Sequence, residues 1–243
     1  MTGPRVLLLG GTGEARELAA ALTRDGVPVI SSLAGRVASP RLPEGEVRVG
    51  GFGGPEALAR WLLDNDIAAV VDATHPFAER ISSSAAGACE RAEVPLLRLE
   101  RPGWSEGPGD DWHWVGDTDA AASAIPDLGR RVFLTTGRQG LAAFANVPAW
   151  FLVRCIDPPG PPLPERRELV LDRGPYTLER ELALIDRHGI DLLVTKDSGG
   201  ALTEAKLEAA RTRGFPVIVI RRPPRPQVPT VEAVPAAIEW LHA

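Results

Sequence analysis

Cysteine is scarce in this chain: Cys89 and Cys155 are the only two in 243 residues. They form no CxxC pair and sit at no Cys/His spacing suited to zinc, so a disulfide framework and a zinc module are both excluded. Two isolated cysteines read as reduced, small core hydrophobes, and no metal site is expected. Lysine is scarcer than the charge suggests, because of 27 basic residues all but Lys196 and Lys206 are arginine. An excess of positive charge is also missing: the formal net charge is -5 and the pI about 5.5. That balance argues against a protein that lives on nucleic-acid phosphates.

Long apolar runs are absent too. Val6–Leu9, after Arg5, is too short for a signal-peptide core, and nothing later approaches the roughly 18 residues a membrane helix needs. A cytoplasmic, soluble protein is expected, with no membrane partner. The one tyrosine, Tyr176, is followed four positions on by Arg180, so the Tyr-x-x-x-Lys pair of short-chain dehydrogenases is missing. No G-x-S-x-G elbow accompanies a Ser/His/Asp set. The six tryptophans are scattered and suggest no base-stacking platform.

What is present is an ordinary globular composition, 44% apolar and 24% charged. At about 150 residues per domain, the length suits one large or two small domains. Short β-branched or Leu-rich runs alternate with helical stretches, the pattern of βα units around a parallel sheet. Strands are predicted at Val6–Leu9, Val27–Ser31, Val47–Val49, Ala68–Asp72 and Leu96–Leu99. After a Pro/Gly-rich stretch, Glu100–Asp111, they resume at Trp112–Val115, Val132–Thr135, Phe151–Cys155, Leu169–Leu171, Leu192–Thr195 and Val217–Ile220. Helices are predicted between them, including Gln139–Ala145 and Val231–Leu241, while Pro158–Pro164 and Pro223–Pro229 are too proline-dense for helix or central strand. The expected fold is α/β: two Rossmann-like domains with parallel sheets flanked by helices, over residues 1–103 and 104–243, and an active-site cleft between them.

In open parallel sheets ligands gather beyond the carboxyl ends of the strands, so the residues after each strand carry the functional argument. After the first come Gly10, Gly11, Thr12, Gly13 and Glu14. Glycines let a backbone approach a pyrophosphate, and the following helix supplies free N–H groups and a positive dipole end. Arg16 stands where a third glycine would complete G-x-G-x-x-G, so a tight βα turn without ligand is the competing interpretation. After the second strand no acid is available to hold a ribose 2′-hydroxyl. Ser32 and Arg36 stand there instead and favour a 2′-phosphate, hence NADPH/NADP as cofactor, unless Arg36 is simply an exposed loop arginine. The fourth strand leads into Thr74, His75, Pro76 and Phe77, where Pro76 suits the first position of a helix and Phe77 suits packing on a nicotinamide or ribose. His75 is a ligand contact or a structural turn residue.

In the second half, Thr136-Gly137-Arg138 and Lys196-Asp197-Ser198-Gly199 put hydroxyls, glycine and a cation at strand ends, an arrangement suited to gripping an anion. Two anion-friendly turns with an internal Lys196–Asp197 pair are the alternative.

Together these segments resemble the precorrin-6A reductase family of vitamin B12 biosynthesis. The resemblance is carried by Leu8–Ala15, Ser32–Arg36, Asp72–Ala78, Arg98–Pro102, Thr136–Arg138 and Thr195–Gly199, in order along almost the whole chain. It implies NADPH-dependent reduction of a ring double bond of precorrin-6A to give precorrin-6B. It further implies cofactor contacts in the first loop and Arg36, and substrate or nicotinamide-end contacts from Thr136–Arg138 and Lys196–Ser198. Hydride transfer needs no protein nucleophile, and the accompanying proton has Lys196, Asp197, His75 or water as candidate sources. The rival interpretations are an NADP(H)-binding sensor and a reductase or epimerase of another anionic small molecule. A monomer or small homo-oligomer is expected.

Overall fold

The computed structural model describes residues 5–35 and 41–243. The chain forms two compact units, residues 1–102 with 224–243, and residues 103–223. The last twenty residues therefore belong to the first unit, a correction to the expected second domain of 104–243.

Unit 1 holds one parallel sheet. Its strands are β1 (Arg5–Leu9), β2 (Val29–Leu33), β3 (Glu46–Val49), β4 (Ile67–Asp72), β5 (Leu96–Leu99) and β12 (Thr230–Val231), in the spatial order β12-β5-β4-β1-β2-β3. All pairs are parallel, with Leu8 opposite Ser31 on one side and Val71 on the other. The central strands β1 and β4 are apolar between their charged ends, Arg5 and Asp72, because both faces are covered. Alternate side chains go to opposite cores. Leu8 and Val71 join Leu18 and Leu22 of α1 (Gly13–Arg24) and Ala237 of α7 (Val234–His242), whereas Leu7, Leu9 and Val70 join Leu58 and Leu62 of α2 (Pro55–Asp64) and Ala85 of α3 (Glu79–Ala92).

β12 was not predicted. Two residues that follow a proline-dense stretch carry no periodicity, and they pair only because the register beside Arg98 and Leu99 is open to them.

Unit 2 is built the same way. β6 (Trp112–Val115), β7 (Arg131–Leu134), β8 (Trp150–Cys155), β9 (Arg167–Leu171), β10 (Leu192–Lys196) and β11 (Val217–Ile220) form a parallel sheet in the order β6-β11-β10-β7-β8-β9. Helices α5 (Leu178–His188) and α6 (Ala205–Arg213) cover the face that carries Phe133, Leu152, Leu193 and Val219. Helix α4 (Thr118–Leu128) packs against β6, β10 and β11. Helix ends follow the local chemistry. Asp117 caps α4 by accepting the Ala120 N–H at 2.8 Å, and Gly189, with φ +57°, ends α5 in the left-handed conformation. The helix expected over Gln139–Ala145 is only a 3-10 turn, Leu141–Phe144, following Gly140 at φ +88°. Among the described residues no helix is long and apolar enough to cross a membrane.

Candidate active site

In unit 1 the chain leaves β1 through Gly10 and Gly11. Gly11 has φ +115°, a conformation glycine adopts without strain, and among the described residues nothing lies within 4 Å of where its side chain would be. The open backbone stands directly before the N-terminus of α1, whose first residue is Gly13. Thr12 is turned inward. Its hydroxyl accepts the Ala15 N–H at 3.1 Å and donates to the Ala73 carbonyl at 2.8 Å. A hydroxyl has one proton to give, so Thr12 can offer a ligand its backbone N–H but no side-chain donor. The Glu14 carboxylate is held by Arg101 at 2.8 Å, which offsets a negative charge beside the open turn.

Ser32, at the end of β2, is buried, and the Arg48 guanidinium stands 3.4 Å from its hydroxyl. Arg48 was not singled out from the sequence. It donates to the Gly50 and Gly51 carbonyls at 2.6 and 2.8 Å and covers the Phe52 ring at 3.7 Å, and burial lowers its pKa. Arg36 lies outside the described residues.

Beyond β4, Asp72 Oδ1 accepts from the Thr74 N–H (3.1 Å) and hydroxyl (2.6 Å). The residues after it make a turn rather than a helix start: Ala78 N–H donates to the His75 carbonyl at 2.7 Å, and α3 begins only at Glu79. Pro76 is therefore not the first helical residue. His75 Nδ1 accepts the Phe77 N–H at 3.2 Å, which in the neutral ring leaves Nε2 as the proton-bearing nitrogen. The two rings lie 5.9 Å apart.

This turn rests on an ion network that sequence periodicity does not reveal. Arg225 donates to the His75 carbonyl at 2.7 Å and to Glu100 at 2.8 Å, while Arg98 donates to the Pro226 carbonyl at 3.1 Å. Arg98 Nε lies 3.8 Å from Asp72 Oδ2 and 3.9 Å from Glu100. The returning segment 224–243 is thus fastened to the ends of β4 and β5.

In unit 2, Thr136 follows β7. Its hydroxyl is buried and has no hydrogen-bond partner among the described residues, an unusual state for a polar atom out of water. Beside it, Gly137 has φ +76° and, among the described residues, no neighbour within 4 Å of a would-be side chain. Arg138 pairs with Asp157 at 3.7 Å. Lys196 ends β10, and burial lowers its pKa. Asp197 is an anchor: Oδ1 accepts the Trp104 N–H at 3.0 Å, and Oδ2 meets Arg222 Nε at 3.1 Å. With both oxygens engaged it is a poor choice for a proton source, against the sequence expectation that kept it as one. Ser198 N–H donates to the Lys196 carbonyl at 2.7 Å, and Gly199, at φ +63°, completes the turn.

Each unit thus gathers its predicted residues at the carboxyl edge of its own sheet: Gly10–Glu14, Ser32 and Thr74–Phe77 in unit 1, Thr136–Arg138 and Lys196–Gly199 in unit 2. A groove of about 290 Å³ on unit 2, bordered by Ser105, Trp112, Tyr176, Glu204 and Arg211, contains none of them.

Two parallel six-stranded sheets flanked by helices, the first leading through an open glycine turn into a helix N-terminus, define a protein of the α/β class. The comparisons narrow this class. The family model described as precorrin-6x reductase CbiJ/CobK matches residues 5–242, and the chain belongs to that family of reductases. It is 55% identical over 240 residues to a precorrin-6A reductase of Rhodococcus erythropolis, covering 98% of this chain and 97% of the relative. It is 52% identical over 239 residues to one of Mycobacterium tuberculosis, with the same coverage. A solved structure of a CobK precorrin-6A reductase matches with a TM-score of 0.93 at 40% identity, over 98% of this chain and 96% of that one.

Proposed function

We propose that this protein reduces one ring double bond of precorrin-6A with NADPH as reductant, giving precorrin-6B. The observation that carries the proposal is the full-length likeness to precorrin-6A reductases, which takes in the strand-end loops of both units.

The residues of unit 1 fit a dinucleotide. Gly11 leaves its backbone open beside the α1 N-terminus, where N–H groups and the helix dipole favour a diphosphate. Arg101 offsets the one carboxylate at that turn. Ser32 would hold the ribose 2′ end, with Arg36 and Arg48 as cations for a 2′-phosphate; Thr74, His75 and Phe77 would border the nicotinamide end. NADPH, when bound, supplies the hydride.

Unit 2 would hold the tetrapyrrole. Its carboxylate arms suit the Thr136 hydroxyl, the Arg138 guanidinium and the Ser198 turn, since charge-assisted bonds are the strong ones in a partly dry site. The proton that completes the addition comes from Lys196, whose ammonium burial makes a readier acid. His75 is the second source, through Nε2–H.

Mixing purified protein, NADPH and precorrin-6A should bleach the reduced-nicotinamide absorbance while the macrocycle spectrum changes. An unchanged spectrum with authentic substrate would reject the activity.

A further inference from the structure

Unit 2 contains a buried group of charges that the proposed reaction does not use. Arg154 on β8 and Glu181 on α5 form a two-pronged ion pair at 2.5 and 3.1 Å, with 6% and 2% of each residue exposed. The Tyr176 ring lies 3.7 Å from the Arg154 guanidinium and the Phe133 ring 4.7 Å. That pair is electrically complete. Lys206, in the first turn of α6 and 4% exposed, brings a third charge into the same interior.

Among the described residues the Lys206 amine meets both a carbonyl and an aromatic ring. It donates to the Thr203 carbonyl and lies 4.5 Å from the centroid of the Trp104 ring. Trp104 in turn spans the loop after β10: its backbone N–H donates to Asp197, and its indole N–H donates to the Gly200 carbonyl at 3.2 Å. Gly199 and Gly200, at φ +63° and +72°, do little to stiffen that loop themselves. Its shape therefore depends on Arg222, which holds Asp197 at 3.1 Å, on Trp104, and on what the indole rests against.

We propose that Lys206 is a positioning residue for the loop 197–200: charged, it grips the Trp104 indole and fixes the loop in its substrate-holding form, and uncharged, it lets the loop loosen. The proposal rests on the reading that this loop holds the tetrapyrrole. Attraction to an aromatic face needs the charge, whereas the bond to Thr203 survives its loss. Both forms are populated near neutrality, because burial and the neighbouring Arg154 push the amine down to about 7 against the pull of Glu181 and Glu204.

The experiment uses the full chain with Lys206→Met and Lys206→Gln, both uncharged, the second keeping a donor for Thr203. Two quantities are followed against pH: KM and kcat for precorrin-6A, and the Trp104 indole N–H resonance, assigned by its loss in Trp104→Phe. In the wild type, KM should rise roughly three- to thirtyfold as pH passes about 7, the range a desolvated cation–aromatic contact allows. The resonance should move with the same midpoint, and kcat should stay within about twofold. Both variants should show the high KM at every pH and no titration of the resonance. A resonance that titrates as in the wild type in either folded variant would overturn the link between Lys206 and Trp104. A resonance that depends on Lys206 beside a KM that never changes would overturn the loop's part in substrate binding, and with it the role of Lys206 in turnover.

Discussion

Thr12 ties together two strand ends that lie 61 positions apart, its hydroxyl donating to the Ala73 carbonyl at 2.8 Å while it caps α1. The glycine turn is thereby held against the segment that carries Thr74 and His75. Thr12→Ala removes the cap and leaves a buried carbonyl without its donor. A loss of about 1–2 kcal/mol in urea unfolding is expected, with weaker NADPH binding by titration. Thr12→Ser should retain both. Unchanged NADPH affinity in Thr12→Ala would show that the tether has no part in shaping the turn.

Gly103 is packed against the Asp197 carboxylate so closely that an added methyl would sit 2.6 Å from Oδ2. Gly103→Ala must displace Asp197, whose partners are Trp104 N–H and Arg222. The expected outcome is a KM for precorrin-6A raised about tenfold, equivalent to one lost hydrogen bond to a charged group, with NADPH affinity unchanged. If instead NADPH binding falls and KM holds, the loop 197–200 serves the cofactor.

Much of this architecture is legible in the sequence because it follows from repeating physical patterns. Buried parallel strands such as Val6–Leu9 and Val217–Ile220 are continuous apolar runs, and the turn after β1 is marked by clustered glycines, of which Gly11 takes a conformation glycine adopts freely. The strand-end rule then picks out Ser32, Thr74, Thr136 and Lys196 without coordinates. What it misses is what the chain assembles over long separations. Arg225 reaches the His75 carbonyl 150 positions away, and Trp104 reaches Asp197 across 93. The two-residue β12 has no period to detect, so the return of 224–243 to unit 1 was hidden. Arg48 carries no such signal, because a guanidinium that folds over Phe52 looks, in sequence, like any strand arginine.

Arg154 and Glu181 make a test of how a buried ion pair contributes. Arg154→Met leaves Glu181 charged in a dry core and should cost about 3–5 kcal/mol in denaturant unfolding. The double variant Arg154→Met with Glu181→Leu should recover most of that loss, because neither charge then remains. Lys206 adds a second readout: without Arg154 beside it, its titration should move up from about 7. A double variant as unstable as the single one would show that the pair contributes through packing of Tyr176 and Phe133 rather than through charge.

Arg48 stands 3.4 Å from the Ser32 hydroxyl, at the strand edge where a 2′-phosphate would lie. Arg48→Ala and Arg36→Ala should each weaken NADPH about ten- to a hundredfold, the worth of a charge-assisted bond, while NADH binding falls far less. Isothermal titration with both nucleotides gives the ratio. Equal losses for NADPH and NADH in Arg48→Ala would assign that residue to holding the Gly50–Gly51 turn and leave the 2′-phosphate to Arg36.

Lys206 also predicts the pH dependence of folding. Its amine titrates near the ordinary 10.5 in the unfolded chain and near 7 in the folded one, chiefly because burial penalises the charge. Below about pH 7 both states hold the proton, and the native state carries the full cost of the buried charge. Between about 7 and 10.5 the unfolded chain binds more protons, so stability rises with pH, and above 10.5 the cost is gone. Lys206→Met removes that cost and leaves the Arg154–Glu181 pair intact, at the loss of the Thr203 bond and the contact with Trp104. The variant should be about 2–3 kcal/mol more stable than the wild type at pH 6, with the advantage shrinking steadily and reversing toward pH 10. Urea unfolding across that range measures it. Curves for the two proteins that run parallel would show that the native state keeps Lys206 charged throughout, with Glu181 and Glu204 outweighing the burial.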